Sequence, residues 1–166
     1  NFSGRYVLFA GRSNVGKSSL INALLKQKVA KVSTKPGKTI SVNFYKQSSF
    51  TLVDLPGYGY AKIPQALKKE WGPLIDELLR CMTLSKVTIL CVLLIDARRT
   101  IEKEDEELID YVSQFNIEII ILRTKYDKLN QKEQNQMRQA DQSILSQRPT
   151  LQILASSILE KKLLSQ

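Results

Sequence analysis

The sequence predicts an α/β domain of three layers, with helices on both faces of a mostly parallel sheet. Apolar segments typical of buried strands alternate with segments whose apolar residues recur at helical spacing. Two short strand-like segments, 41–46 and 50–54, are separated by three polar residues, which predicts a hairpin and one antiparallel edge strand. At 166 residues the chain is long enough for one domain with a substantial core.

The elements follow one another with no repeat, low-complexity segment or domain linker. Residues 87–95 are nearly all apolar, which predicts a central strand buried on both faces. Gly72-Pro73 interrupts a helical pattern and predicts a kink or two joined helices. Asn130 and Glu133 have the spacing of a capping box. The predicted strands are 5–10, 41–46, 50–54, 87–95, 117–122 and 151–155, and the predicted helices are 18–26, 67–79, 101–115, 130–147 and 158–164.

The composition excludes several classes of protein. There is no histidine, so a histidine general base, a His-based triad and a His-ligated zinc are excluded. No apolar run approaches the roughly 20 residues that span a bilayer, and residues 1–5 lack the features of a signal peptide. The two cysteines lack metal-ligand spacing, and Cys91 is expected to be buried. We expect a cytoplasmic location, or an organellar matrix if a presequence has been removed.

The charge is basic and uneven. The net charge of +9 and the isoelectric point of about 9.6 favour polyanionic partners such as nucleic acid, ribosomes or acidic lipid. Acidic residues crowd 102–107, which predicts a helix N-terminus whose dipole they complement. Five lysines crowd another short region and fit either a solvated loop or a nucleic-acid contact: Lys26, Lys28, Lys31, Lys35 and Lys38.

One segment has the pattern of a phosphate-binding loop. The residues Gly11-Arg12-Ser13-Asn14-Val15-Gly16-Lys17-Ser18 follow the first predicted strand and open the first predicted helix. The glycines let backbone N–H groups point at one phosphate, and the helix N-terminus adds partial positive charge. Lys17 can reach the β- and γ-phosphates, and the Ser18 hydroxyl can ligate Mg²⁺. A glycine turn beside an unrelated lysine is the alternative, which the flanking strand and helix disfavour.

Further segments have the residue types that a GTP site needs. Asp54 can hold Mg²⁺ through water, the Gly57 N–H can bind a γ-phosphate, and Thr39 can complete the Mg²⁺ shell. In Thr124-Lys125-Tyr126-Asp127, the Asp127 carboxylate can accept from the N1–H and the amine of guanine, a pair of donors that adenine lacks. Each segment alone also fits an ordinary loop. Their order along the chain predicts a guanine-nucleotide site.

Several segments resemble the EngB (YihA/YsxC) family of bacterial Era-like GTPases. The resemblance covers roughly residues 4–157 and is carried by GRSNVGKSSLINALL, KVSTKPGKTISVNFY, DLPGYGYAK, LLIDARR and TKYDKL. It implies one G domain of the P-loop NTPase fold that binds GTP and GDP with Mg²⁺. The implied function is a nucleotide-dependent switch in assembly of the large ribosomal subunit, with a link to cell division and septation. The expected partners are that subunit or its precursors, through rRNA and ribosomal proteins, and the expected state is a monomer.

The resemblance also implies the residues of the site. Ser18 and Thr39 are the implied Mg²⁺ ligands, and Lys17, Thr39 and Gly57 are the candidate catalytic residues. The implied nucleotide-binding segments are Gly11–Ser18, the first switch Gly37-Lys38-Thr39-Ile40-Ser41, the second-switch start Asp54-Leu55-Pro56-Gly57, the base-recognition segment Thr124-Lys125-Tyr126-Asp127, and Ala155-Ser156-Ser157 behind the guanine.

Three positions lead to more specific expectations. Thr124 stands where most GTPases have an asparagine whose amide contacts guanine N7 and braces the phosphate loop, so we expect weaker nucleotide affinity. Tyr58 stands where many small GTPases have a glutamine that orients water, so we expect slow hydrolysis without a partner. Asn14 provides a hypothetical K⁺ site beside the phosphates.

Two other function classes remain open. The phosphate loop also fits an ATP-dependent enzyme that phosphorylates a metabolite, although Asp127 argues against adenine. The chain also fits a nucleotide-binding adaptor at the division site or membrane surface that has no ribosomal role.

Overall fold

The computed structural model describes residues 2–30, 41–58 and 65–155, with only the backbone of residues 65–71. All six predicted strands are present, and their bounds shift by at most a few residues. In chain order the elements are β1 (Arg5–Gly11), α1 (Lys17–Leu25), β2 (Asn43–Lys46), β3 (Thr51–Asp54), α2 (Gln65–Leu84), β4 (Thr88–Asp96), α3 (Lys103–Ser113), β5 (Glu118–Thr124), a 3-10 turn (Tyr126–Lys128), α4 (Gln131–Gln147) and β6 (Gln152–Ala155).

The strands form one sheet in the order β2-β3-β1-β4-β5-β6. Among these six described strands, only β2 is antiparallel to its neighbour, and it lies at the edge, as the sequence predicts. Its hairpin to β3 is closed by a hydrogen bond from the Gln47 N–H to the Phe50 carbonyl at 2.8 Å. Because β1, β3, β4, β5 and β6 are parallel, their carboxyl ends share one edge of the sheet, where ligands bind in folds of this class.

Helices cover both faces of the sheet, so the predicted three layers are confirmed. Alternate residues of β1 face opposite layers. Leu8 packs in a core with α2 and α3. Phe9 packs on the other side with Ile21 of α1. Leu108 and Val112 of α3 are buried as predicted, and Cys91 is buried in β4.

Two helices differ from the sequence-based prediction. Gln65–Leu84 is one helix that continues through Pro73, so of the two predicted alternatives the two joined helices are wrong, and the kink stays a prediction. Proline removes one backbone hydrogen bond of the helix, and the other hydrogen bonds of this long helix keep it continuous. The predicted helix at 158–164 lies outside the described residues. No helix in the described ranges combines the length and apolar character that crossing a membrane requires.

Candidate nucleotide-binding site

The predicted phosphate loop joins the end of β1 to the start of α1. Gly16 has a φ of 105°, a left-handed conformation that glycine adopts without strain. α3 and α4 each begin with a capping box and an acidic residue in the first turn. In contrast, α1 has no side-chain cap and no acidic residue in its first turn. Its N-terminal N–H groups are therefore oriented for an anion rather than satisfied by the protein's own carboxylates.

Lys17 lies at the start of α1 and pairs with Asp54 at the end of β3. Their side chains are only 12% and 10% exposed, so the pair is well shielded from water. Ser18 follows in the same turn of α1 and is half-buried. The hydroxyl of Ser18 and the carboxylate of Asp54 are oxygen donors of the type that Mg²⁺ prefers.

The donor set at this edge fits a cation bound together with phosphate. No group of three His, Cys, Asp or Glu side chains converges on a possible metal position within the described ranges. Mg²⁺ commonly uses one or two protein oxygens and takes its other ligands from phosphates and water. Ser18 and Asp54 therefore suit Mg²⁺ carried by a nucleotide, and they do not form a cage that would hold the ion by themselves.

The start of the second switch lies directly against the phosphate loop. A Cβ added to Gly57 would lie 2.8 Å from Ser13 Oγ and 3.2 Å from the Ser13 backbone N, so a larger residue here would force the loop to shift. The next residue, Tyr58, forms an isolated parallel bridge with Arg12, and its carbonyl accepts a hydrogen bond from the Ser13 N–H at 3.4 Å. The backbone of residues 57–58 is thus held in register with the loop.

The end of β5 braces the phosphate loop from the other side. Thr124 Oγ1 donates to the Val15 carbonyl at 2.7 Å, and Thr124 is 1% exposed. The Thr124 hydroxyl thus braces the loop in place of the missing amide. The expected weaker nucleotide affinity stays a prediction. Lys125 Nζ donates to the Asn14 carbonyl at 2.8 Å and adds a second link.

Asp127 and Ala155 lie at the same edge of the sheet. Asp127 is in the 3-10 turn after β5, with its side chain 26% exposed and its Oδ2 3.5 Å from Lys128 Nζ. Ala155 ends β6 and pairs with Arg123, one residue before Thr124. The structure thus brings the predicted base-recognition segment and phosphate loop together.

Comparisons with known proteins agree with this geometry. The family model of the 50S ribosome-binding GTPases matches residues 6–125. The probable GTP-binding protein EngB of Geobacter metallireducens is 45% identical over 130 residues, which cover 76% of this chain and 62% of that protein. The EngB of Thermosipho africanus is 42% identical over 140 residues, which cover 82% of this chain and 70% of that protein. The chain belongs to the EngB family. It spans about three fifths of the length of the first of these relatives.

The fold is also found in a solved structure of Era in complex with MgGDPNP and part of 16S ribosomal RNA. The TM-score is 0.70 at 25% identity, and the match covers 96% of this chain and 53% of that one. The fold class that the sequence predicts, a P-loop GTPase domain, is thus confirmed for this EngB chain.

Part of the predicted EngB site lies outside the described residues. Ser41 is described and exposed. The residues outside are Gly37, Lys38, Thr39, Ile40, Ser156 and Ser157. The Mg²⁺ role of Thr39 therefore stays a prediction.

Sequence reasoning gave no role to Asp96, which ends β4 and is 8% exposed. Its carboxylate accepts from Arg98 Nε at 2.9 Å and from Lys125 Nζ at 3.0 Å. Burial opposes ionisation of Asp96, but these hydrogen bonds outweigh it and hold its pKa below the usual value. Asp96 thus fixes the ammonium that reaches the phosphate loop. The sequence did contain a signal for Asp96, because an acidic residue at the end of a predicted buried strand is a candidate for the site.

A second feature that sequence reasoning missed joins the phosphate loop to α3. Arg12 Nη2 lies 2.8 Å from Glu102 Oε2 and 2.6 Å from Glu104 Oε2. The Tyr58 hydroxyl donates to Asp105 Oδ1 at 2.8 Å. Burial and the Asp105 charge raise the pKa of Tyr58, so its hydroxyl stays protonated as a donor. The acidic run 102–107 lies at the N-terminus of α3, as predicted. Its side chains also hold Arg12 and Tyr58 at the nucleotide site.

Proposed function

We propose that this chain binds GTP with Mg²⁺, hydrolyses it slowly, and acts as a nucleotide-dependent switch in assembly of the large ribosomal subunit. The observation that carries the proposal is the direct link between the base-recognition segment and the phosphate loop. Thr124 and Lys125 each donate to a carbonyl of the loop. One ligand can therefore contact the loop with its phosphates and Asp127 with a guanine base.

The residues around the third phosphate suit slow hydrolysis. Lys17 supplies positive charge for the phosphates, and Gly57 lies against Ser13 of the loop, where its N–H can serve a third phosphate. Tyr58 does not take the place of a water-orienting glutamine, because its side chain carries no amide. Fast turnover therefore requires a group from a partner.

The ribosomal part of the proposal rests on charge and on relatives. The matching family model is that of 50S ribosome-binding GTPases, and the solved Era structure contains ribosomal RNA. The net charge of +9 favours a polyanion. Lys26 and Lys28 are exposed directly after α1, beside the region that leads to the predicted first switch. We propose a cytoplasmic location for this activity, or an organellar matrix if a presequence has been removed.

Co-sedimentation with purified large subunits and their precursors tests the function. We expect co-sedimentation with the GTP analogue GDPNP and weaker co-sedimentation with GDP. An ATP analogue should not increase co-sedimentation. Stimulation by the ATP analogue would instead favour an ATP-dependent enzyme. Guanine-nucleotide binding without co-sedimentation in any state would remove the ribosomal role and favour the adaptor.

A pair of charge variants tests the surface. Replacing Lys28 and Lys31 with Glu should weaken co-sedimentation and lower the salt slope by about 2, one for each lost phosphate contact. The matched control replaces Lys86 and Lys132 with Glu, which makes the same change in net charge elsewhere. Equal weakening by both pairs would contradict a specific surface.

We also propose that K⁺ bound beside Asn14 assists GTP hydrolysis, and this proposal has a test of its own. Asn14 lies in the loop with a φ of 63°, and Lys125 holds its carbonyl. We expect faster GTP turnover in KCl than in NaCl of equal ionic strength. Equal turnover would remove K⁺ from the mechanism and leave the GTPase proposal intact.

A further inference from the structure

The phosphate loop and the second switch share one carboxylate at the start of α3. Asp105 is 1% exposed. Its Oδ2 accepts from the Glu102 N–H at 2.9 Å and lies 3.4 Å from Arg99 Nη2. This oxygen is therefore committed to the capping box of α3. The other oxygen, Oδ1, faces the nucleotide site.

Two donors compete for Asp105 Oδ1. The Tyr58 hydroxyl donates to it at 2.8 Å, whereas Arg12 Nε lies 3.6 Å away, beyond hydrogen-bond distance. Arg12 Nε is buried and makes no hydrogen bond within the described part of the chain. A buried N–H without an acceptor is costly, so Arg12 gains from any movement that frees Oδ1.

The binding of a third phosphate would cause a movement that frees Asp105 Oδ1. The Ser13 N–H, which belongs to the phosphate loop, donates to the Tyr58 carbonyl at 3.4 Å. Gly57 lies in close contact with the same residue. A γ-phosphate bound by the loop and by the Gly57 N–H competes for the Ser13 N–H and requires space between these two backbones. Tyr58 is the next residue, so its hydroxyl shifts with Gly57.

We propose that Asp105 sets the discrimination between GTP and GDP by exchanging its Oδ1 partner, from the Tyr58 hydroxyl without a third phosphate to Arg12 Nε with one. Asp105 acts on the bound nucleotide only through Tyr58 and Arg12, so it is a positioning residue. The inference rests on the proposed binding of guanine nucleotides and is independent of the ribosomal partner.

Two variants should change the discrimination in opposite directions. Tyr58→Phe removes the partner of the diphosphate state, so it should raise the affinity for GDPNP relative to GDP by roughly 3- to 10-fold. Arg12→Lys keeps a positive charge for Glu102 and Glu104 but lacks an N–H at the Nε position. It should lower the same ratio by a similar factor. A general loss of stability cannot produce opposite changes.

The measurement is a fluorescence titration of each protein with labelled GDP and labelled GDPNP in the presence of Mg²⁺. Tyr111→Phe is the matched control, since the Tyr111 hydroxyl also donates to a carboxylate, that of Asp76, which lies on α2. We expect this control to leave the affinity ratio unchanged. Thermal unfolding of all four proteins establishes that each is folded.

The outcomes separate this inference from the proposed function. Failure of the wild-type chain to bind either nucleotide would overturn the proposed function and the exchange together. Binding by the wild type, with ratios that stay the same in both variants or change in the same direction, would overturn the exchange alone. If Tyr58→Phe does not fold, the ratio for Arg12→Lys still decides the question.

Discussion

The hydrogen bond from Thr124 to the phosphate loop can be tested with an isosteric substitution. Thr124→Val replaces the hydroxyl with a methyl group and keeps the shape of the side chain. Both Thr124 and its acceptor residue, Val15, are at most 4% exposed, so water cannot easily replace the lost donor. The substitution therefore removes the brace while it leaves the packing of β5 nearly unchanged.

The magnitude follows from the cost of a buried carbonyl that loses its donor. The net value of such a bond is about 0.5–1.5 kcal/mol, and an unsatisfied buried group costs about 1–3 kcal/mol. The valine no longer buries a hydroxyl, which offsets part of this, so we expect a loss of about 1–2 kcal/mol. For a chain of 166 residues, this lowers the Tm by about 2–8 °C. If most of the loss affects the loop that binds phosphate, GDP binding weakens roughly 3- to 10-fold.

The assay combines thermal unfolding with a titration of fluorescent GDP. Thr124→Ser is the control, because it keeps the hydroxyl and loses only a methyl group, at about 1 kcal/mol of stability. Both variants should unfold at lower temperature, but only Thr124→Val should lose nucleotide affinity. Wild-type affinity in Thr124→Val, or equal loss in both variants, would refute the claim that the hydroxyl braces the site.

Four further substitutions test the other polar contacts. Asp141→Ala leaves the buried Arg123 unpaired and should cost about 3–5 kcal/mol in urea unfolding, and an Arg123→Met, Asp141→Leu double variant should recover most of it. A double variant as unstable as the single one would argue against this pairing cost. Asp54→Asn should lower the stability of the nucleotide-free protein by about 2–3 kcal/mol and abolish the Mg²⁺ dependence of GDPNP binding. Retained Mg²⁺ dependence would exclude Asp54 from the metal site. Asp127→Ala should reduce the preference for GDPNP over an ATP analogue roughly 100-fold in competition, and an unchanged preference would exclude Asp127 as the guanine acceptor. The lowered pKa of Asp96 stabilises the fold above the ordinary Asp pKa of about 3.9, and this contribution is lost as the pH falls further. The Tm difference between wild type and Asp96→Asn should therefore shrink progressively below about pH 4, and a difference independent of pH would contradict the role of the charged carboxylate.

The fold was predictable because its strands are buried. A strand with helices on both sides, such as 88–96, appears as a continuous apolar run, and a hairpin strand is marked by its short polar turn. The phosphate loop was predictable for a related reason. Its glycines, lysine and serine are consecutive, so their chemistry is visible without knowledge of the fold.

The contacts that organise the site were not predictable in the same way. Arg12 and Glu104 are 92 residues apart, and Thr124 and Val15 are 109 apart. Each such residue has several chemically acceptable partners along the chain, and only the sheet order selects one. The brace from Thr124 was missed for the same reason. The loss of an amide was visible in the sequence, whereas the position of a carbonyl within reach of the hydroxyl was not.

The position of β2 at the edge of the sheet has a consequence for local unfolding. Among the strands of the described residues, β2 pairs with β3 alone, through four residue pairs, whereas β1 pairs with a strand on each side. Amide hydrogens of β2 should therefore exchange through local opening, and those of β1 only when the whole domain unfolds. Thr39 leads into β2, and the phosphate loop leaves β1. The segment expected to respond to a third phosphate is thus attached to a strand that opens at low cost. The segment that holds the other phosphates is attached to a strand that opens last.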